Sequence, residues 1–297
     1  MGNEIKGAIL VLTAAFFWGF AATAAKFIFN NNIDPFRLVN MRLNLAFILL
    51  FIYYVIFDRQ KLKITKYDIK NLAVLGIVGI AGVQTTYYYT MATLNVAMAI
   101  FLQYLAPAII VLYSIIFQKE KLSRAIGLSL LISLLGSSFI IFGREVSGTA
   151  PINGIGMITG IISAFFLSFY TLFSKKCTTR LNPWTVLLYA LGFGALVYWF
   201  VSPPWILWSG VTPKELAFAA YIAVFATIIP FGLYLSGLHF LTPSTGSILS
   251  MLEPVIATAS AYLLLNEKMT VVQMLGGIMI IVAVILINRY YMKKESI

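Results

Sequence analysis

Ten apolar runs, separated by short polar stretches, organise this chain. A helix that crosses the hydrocarbon core of a bilayer needs roughly 20 mostly apolar residues. The pattern predicts such helices over about 5–29, 35–57, 68–91, 93–117, 122–142, 152–175, 182–202, 214–238, 241–265 and 269–290. The loops between them are short, so consecutive helices are expected to form antiparallel hairpins. No soluble domain fits in the remainder. The sequence therefore predicts an all-α integral membrane protein of ten transmembrane helices.

The pattern is written twice. A shift of 147 residues places Pro107 on Pro254, Leu94 on Leu241, Glu120 on Glu267, Lys121 on Lys268 and Leu128 on Leu275. The same shift pairs Asp68 with Glu215 and Tyr87 with Tyr234, and Pro35 meets Pro183 at a shift of 148. An offset held over so much chain points to duplication, with five-helix halves at 1–145 and 150–297. Five is odd, so the second half starts on the opposite face of the membrane. The expected architecture is two inverted repeats around a central cavity, with a pseudo-two-fold axis in the membrane plane. The link at 143–151 is short and polar, with turn-forming Gly and Pro.

Composition agrees: 61% of the 297 residues are hydrophobic and 10% are charged. The net charge of +11 acquires meaning from its distribution. With the N-terminus in the cytoplasm, fifteen of the 21 Lys and Arg residues fall inside, among them Lys61, Lys63, Lys119 and Lys121. Five fall near outer ends: Lys26, Arg37, Arg144, Lys214 and Lys268. Arg42 lies within a helix. This bias places both termini inside, and the basic charge serves orientation and contact with anionic lipid rather than nucleic acid. The loop 58–67 is the most basic stretch and is expected to lie on lipid headgroups. Trp205 and Trp208, in the long outer loop 203–213, suit an aromatic belt at the interface. The single Cys177 has no internal disulfide partner. The first run, with Lys6 and a small-residue stretch at Ala21–Ala25, is similar to a signal peptide. Its match to 152–175 argues that it is retained.

Glu253 is the leading candidate for function. It lies halfway along the ninth helix, where a charge costs roughly 2.5–3.5 kcal/mol on insertion scales and should face a cavity or a partner. Pro254 follows it and withholds an amide from the carbonyl near Ser250. Pro107 and Pro254 are the expected hinges. The proline is shared between the halves but the acid is not, since Ala106 stands at the matching position. A shared residue serves architecture; an unshared acid suits substrate or ion coupling, against the plainer alternative of a hydrogen-bonded structural carboxyl.

Arg42 lies about 10 Å in from Pro35 at 1.5 Å per residue. It either snorkels outward or faces the cavity. Asn40 and Asn44 beside it suit contacts between helices. Gln84, Tyr87 and Tyr88 share one face of the third helix at i, i+3 and i+4, with Tyr89 beside them. Gln103 and Tyr104 follow on the fourth, and Trp18 and Tyr170 lie on helices one and six. Aromatics with polar handles suit an organic solute, although any one of them also suits lipid or helix contact. Lys26 reads as a snorkelling residue and His239 as an interfacial one, because no convergent metal ligands accompany it. Gly76, Gly79, Gly82, Gly192, Gly194, Gly276 and Gly277 suit close helix packing.

Leu252-Glu253-Pro254-Val255, Asn266-Glu267-Lys268-Met269 and Leu275-Gly276-Gly277 resemble the closing signature of the EamA-type drug/metabolite transporters. Trp18-Gly19, Lys26 and Met41-Arg42 resemble that family's opening, and Ala106-Pro107 with Lys119-Glu120-Lys121-Leu122 echoes it in the first half. The resemblance covers essentially the whole chain. It implies ten helices in the inner membrane of a prokaryote, with helices one, three, four, six, eight and nine lining the cavity. It also implies export of amino acids or related metabolites, coupled to an ion gradient or by exchange, and homodimer packing through helices five and ten.

The expected activity is therefore secondary transport by alternating access of a small amphipathic metabolite. Glu253 would bind a proton or a substrate amine, and Arg42 a carboxylate. Trp18, Gln84, Tyr88, Gln103, Tyr104 and Tyr170 would shape the pocket. No cofactor or metal is expected. A passive channel or lipid scramblase is the competing class, because a polar cavity does not prove alternating access. A membrane enzyme would need a nucleophile with its base, paired acids or a metal cluster, and the sequence offers none. No phosphate-binding loop for ATP is present.

Overall fold

In the computed structural model the described residues are 2–29, 35–94, 96–143, 153–200, 202–265 and 268–295. Arg144 and the remainder of the expected link between halves, Asn266, Glu267 and the Lys26 side chain lie outside them. The described residues form long helices: α1 (Asn3–Phe29), α2 (Pro35–Phe57), α3 (Lys66–Thr93), α4 (Val96–Phe117) and α5 (Arg124–Phe142). There follow α6 (Gly154–Thr178), α7 (Pro183–Trp199), α8 (Pro213–Phe240), α9 (Pro243–Leu265) and α10 (Val271–Glu295).

Nine of these are long and apolar enough to cross a membrane. The other, α7, has 17 residues and stops short of the 182–202 expected from hydropathy. Asn182 caps its start and Phe200 its end, and Pro203 follows three residues beyond, where prolines commonly follow a helix terminus. At 1.5 Å per residue α7 rises about 25 Å, the short end of what spans a bilayer.

The helices begin where capping chemistry starts them. Thr65 accepts a hydrogen bond from the Asp68 amide while the Asp68 carboxylate accepts one from Thr65, and Thr212 and Glu215 repeat this capping box. The Asp68–Glu215 correspondence seen in the sequence is thus a pair of helix starts. The 147-residue offset recurs in features that no residue pattern announced. A π-helical turn interrupts α3 at Leu75–Ala81 and α8 at Ile222–Ile228. α4 breaks between Gln103 and Ala106, and α9 between Ser250 and Glu253.

These breaks refine the role expected of the prolines. Pro107 and Pro254 do not kink continuous helices. Each occupies the first turn of a new helical segment, where a missing amide costs little. Leu252 donates to the Leu249 carbonyl and Leu105 to that of Leu102, three-residue spacings that tighten the chain just before each proline.

Small residues set the helix contacts, because in lipid close packing replaces hydrophobic burial as the driving force. α5 crosses α10 where a Cβ on Gly136 would meet the Gly276 carbonyl at 2.7 Å, and one on Gly276 would meet the Gly136 carbonyl at 2.5 Å. α3 approaches α7 in the same way at Gly76 and Gly194. Gly277, grouped with these in the sequence, has only ordinary contact with Val255 at 3.8 Å. Helices five and ten, expected at a dimer contact, pack on each other within the chain. The buried Asn40 and Asn44 tie α2 to the end of α7. Asn44 donates to the Asn40 side chain at 2.7 Å and accepts from the Trp199 indole at 2.6 Å.

Because the Gly136 site has backbone on its far side, Gly136→Ala forces the α5–α10 crossing apart. It is expected to cost about 1–3 kcal/mol by overpacking. Gly127→Ala, whose new methyl would meet nothing nearer than Leu122 at 3.8 Å, is the matched control. Thermal unfolding in detergent, followed by size-exclusion chromatography, checks this; equal midpoints for the two variants would refute the close crossing.

Candidate functional site

The two broken helices create the site. The closing segment of α4, Ala106–Phe117, packs against the opening segment of α9, Pro243–Ser250. Their other segments, Val96–Gln103 and Glu253–Leu265, have no comparable contact and diverge. α6 supports the first diverging arm and α1 the second. Gly19 makes the second support possible, since a Cβ there would lie 2.6 Å from the Glu253 carbonyl. Thr23 adds a hydrogen bond of 2.6 Å with Ser260. The Trp18-Gly19 pair thereby acquires a physical purpose: α1 lies directly against the backbone that carries Glu253.

Between the arms lies a cavity of about 930 Å³. It reaches Val96, Tyr262 and Lys268 at the diverging end and stops at Ile110, Tyr170, Tyr234 and Ser247. The opposite end of the bundle is sealed. There Glu4 and Ile5 of α1, Thr245 of α9 and Asn288 of α10 come together, so the starts of α1 and α9 and the end of α10 share the closed end.

Glu253, Arg42, Trp18, Gln84, Tyr88, Gln103, Tyr104 and Tyr170 all line this cavity, as do Pro107 and Pro254. Their environments differ. The Arg42 Nε is buried without a hydrogen-bond partner, so the guanidinium lies against the cavity wall rather than snorkelling to an interface. Tyr87 lines the cavity as well, on the same helix as Gln84 and Tyr88. Gln103 donates to the Ser163 hydroxyl at 3.0 Å, which fixes its amide against α6.

The floor is aromatic. Trp18 meets Phe231 edge to face at 5.1 Å between centroids and Tyr234 at 5.4 Å, and Tyr170 meets Phe231 at 5.8 Å. Thr171 and Tyr234 share a hydrogen bond of 3.3 Å. Phe231, Thr171, Ser247, Thr258 and Gln273 escaped the sequence reading because small polar and apolar residues carry no signal of helix rotation. Tyr234 was within reach, being the repeat mate of Tyr87. The walls also extend beyond the six helices expected, to Val39 and Arg42 of α2, Ile140 of α5 and Gln273 of α10. The splay of α4 and α9 exposes those neighbours.

The remaining expected residues lie elsewhere. His239 Nδ1 is 2.9 Å from the Thr178 carbonyl at the closed end. Lys175 donates to the carbonyls of Leu238 and His239 at 2.7 and 2.9 Å, which completes the end of α8. Among the described residues no group of three or more His, Cys, Asp or Glu side chains could hold a metal ion.

The chain matches the EamA-like transporter family over residues 5–142 and 154–289. It is 29% identical over 292 residues to the uncharacterized inner membrane transporter YicL of Salmonella typhimurium, covering 97% of each chain. It is 24% identical over 144 residues to the pseudopaline exporter CntI of Pseudomonas aeruginosa, covering 48% of this chain and 49% of that one. A solved crystal structure superposes with a TM-score of 0.78 over 94% of this chain and 95% of the other, at 20% identity, which is a likeness of fold.

Solvent access along the cavity is open to measurement. In a Cys177→Ser background, Ala97→Cys and Thr258→Cys are expected to react readily with a hydrophilic maleimide. Ile248→Cys, on the fully buried closed-end segment of α9, is expected to be protected by about tenfold or more, a difference set by local opening. Equal labelling of all three would contradict a cavity open at one end only.

Proposed function

The chain belongs to the EamA-like transporter family, and we propose that this membrane transporter is a secondary carrier that moves amino acids or related small amphipathic metabolites by alternating access. The observation that carries the reading is the cavity. It is deep, has both Glu253 and Arg42 in its walls, and is sealed at one end by the crossing of α4 and α9. A solute with an amine and a carboxylate fits such a pair, and the phenols and aromatic floor suit its carbon skeleton.

The proposal includes two inverted five-helix halves, 1–145 and 150–297. The 147-residue offset of caps, π-turns and breaks supports it. Alternating access then exchanges the roles of the arms: the closed pair separates while the open pair meets, with the breaks before Pro107 and Pro254 as hinges. The chain is placed in the cytoplasmic membrane with both termini inside. The excess of Lys and Arg at the closed end supports that orientation, so the cavity described here opens outward. Export is the proposed direction, in keeping with the name borne by the Pseudomonas relative.

Glu253 is the proposed coupling residue. A carboxyl in low dielectric favours exchange between neutral and charged forms as water and substrate come and go. Uptake and counterflow of amino acids in proteoliposomes test this. Wild type is expected to show trans-stimulated exchange and accumulation driven by a pH gradient. Glu253→Gln, which cannot release a proton, is expected to lose the gradient response by about tenfold or more while keeping its fold. Exchange that ignores pH in both proteins would remove Glu253 from coupling. Flux without trans-stimulation would indicate a pore instead of a carrier.

A further inference from the structure

At the closed end, the Ser244 hydroxyl donates to Glu120 Oε2 at 2.6 Å, a distance characteristic of a charge-assisted O–H···O⁻ bond. Ser244 stands in the first turn of α9 and is 0% exposed. Glu120 lies just beyond α4, in a turn closed by a backbone hydrogen bond. Lys119 adopts a left-handed φ of 55°, and the Glu120 amide donates to the Ser114 carbonyl at 3.0 Å. The bond therefore joins the two segments that meet to seal the cavity, one from each half. It touches neither the cavity nor the expected site residues.

The repeat makes the bond informative. The position matching Ser244 in the first half, at the same 147-residue offset, is Ala97, which lines the cavity at its open end. An alanine side chain donates no hydrogen bond. When the arms exchange roles, the newly closed end cannot reproduce this interaction from Ala97.

We propose that the Ser244–Glu120 hydrogen bond is a one-sided latch that biases the transporter toward the conformation with its termini-bearing end closed. This rests on the alternating-access reading. The bond is present in one state and absent in the other, and only such differential interactions shift a conformational equilibrium. It acts as a gate residue pair outside the binding cavity. Its loss should change how the two states are populated without changing what the cavity recognises.

Pulsed electron-spin distance measurements on the full chain in lipid nanodiscs test the latch. Labels at Lys6 and Lys121, both exposed at the closed end, in a Cys177→Ser background, report the gap between the α1–α8–α9 group and the end of α4. The unmodified latch and Ser244→Thr, which keeps the hydroxyl, are expected to give a dominant short separation. Ser244→Ala should raise the ratio of long to short separations by about ten- to a hundredfold, the range for losing one hydrogen bond to a charged group. Glu120→Gln, which keeps an acceptor without the charge, should move part of the way and serves should the alanine variant fold poorly. Unchanged distances in both variants would overturn the latch. Counterflow in vesicles, measured in parallel on the wild type, tests the carrier reading separately. Its absence would sink alternating access whatever the distances show.

Discussion

In hydrocarbon a backbone amide or carbonyl without a partner is costly, so a helix can be interrupted only where protein or water completes it. α4 and α9 are both interrupted near mid-length. Their breaks are tolerated because they border the large cavity, and Ser168 of α6 ties down the segment that follows the first break by donating to the Ala106 carbonyl at 3.1 Å. The cavity and the breaks thus require each other. Continuous helices would pack along their full length and leave no space, and broken helices facing lipid would not be stable. The π-turns of α3 and α8 obey the same rule, buried at the crossings with α7 and α2.

The doubled pattern separates architecture from chemistry. Caps, π-turns, breaks and prolines occur in both halves and build two crossing arms. Glu253 opposite Ala106 and Ser244 opposite Ala97 occur in one half only. The unshared residues make the two ends of the bundle chemically unequal.

Small residues connect the two levels. Gly136 with Gly276 and Gly76 with Gly194 let helix backbones touch, and Gly19 lets α1 follow the arm that bears Glu253. Such contacts are made by backbone against backbone or small side chains. They hold the helices together while leaving the arms as the elements whose contacts differ from end to end. The hydroxyl–carboxylate bond of Ser244 and Glu120 is a contrasting, directional contact, and it lies where the arms close.

The sequence by itself determined the helical membrane class, nearly all helix boundaries, the doubled pattern and the short list of polar residues around Glu253. These follow from local rules: the length of an apolar run, the position of a cap, the cost of a charge in lipid. The shortened α7 was half legible, in its flanking prolines. The rotation of each helix was not, because an all-apolar run has no polar face to orient it. For that reason Thr171, Ser247 and Phe231 entered the site only in three dimensions, and the choice between snorkelling and cavity for Arg42 was made there too. The closure of one end and the meeting of Ser244 with Glu120 depend on contacts between residues more than a hundred positions apart. Only the packed bundle brings them together.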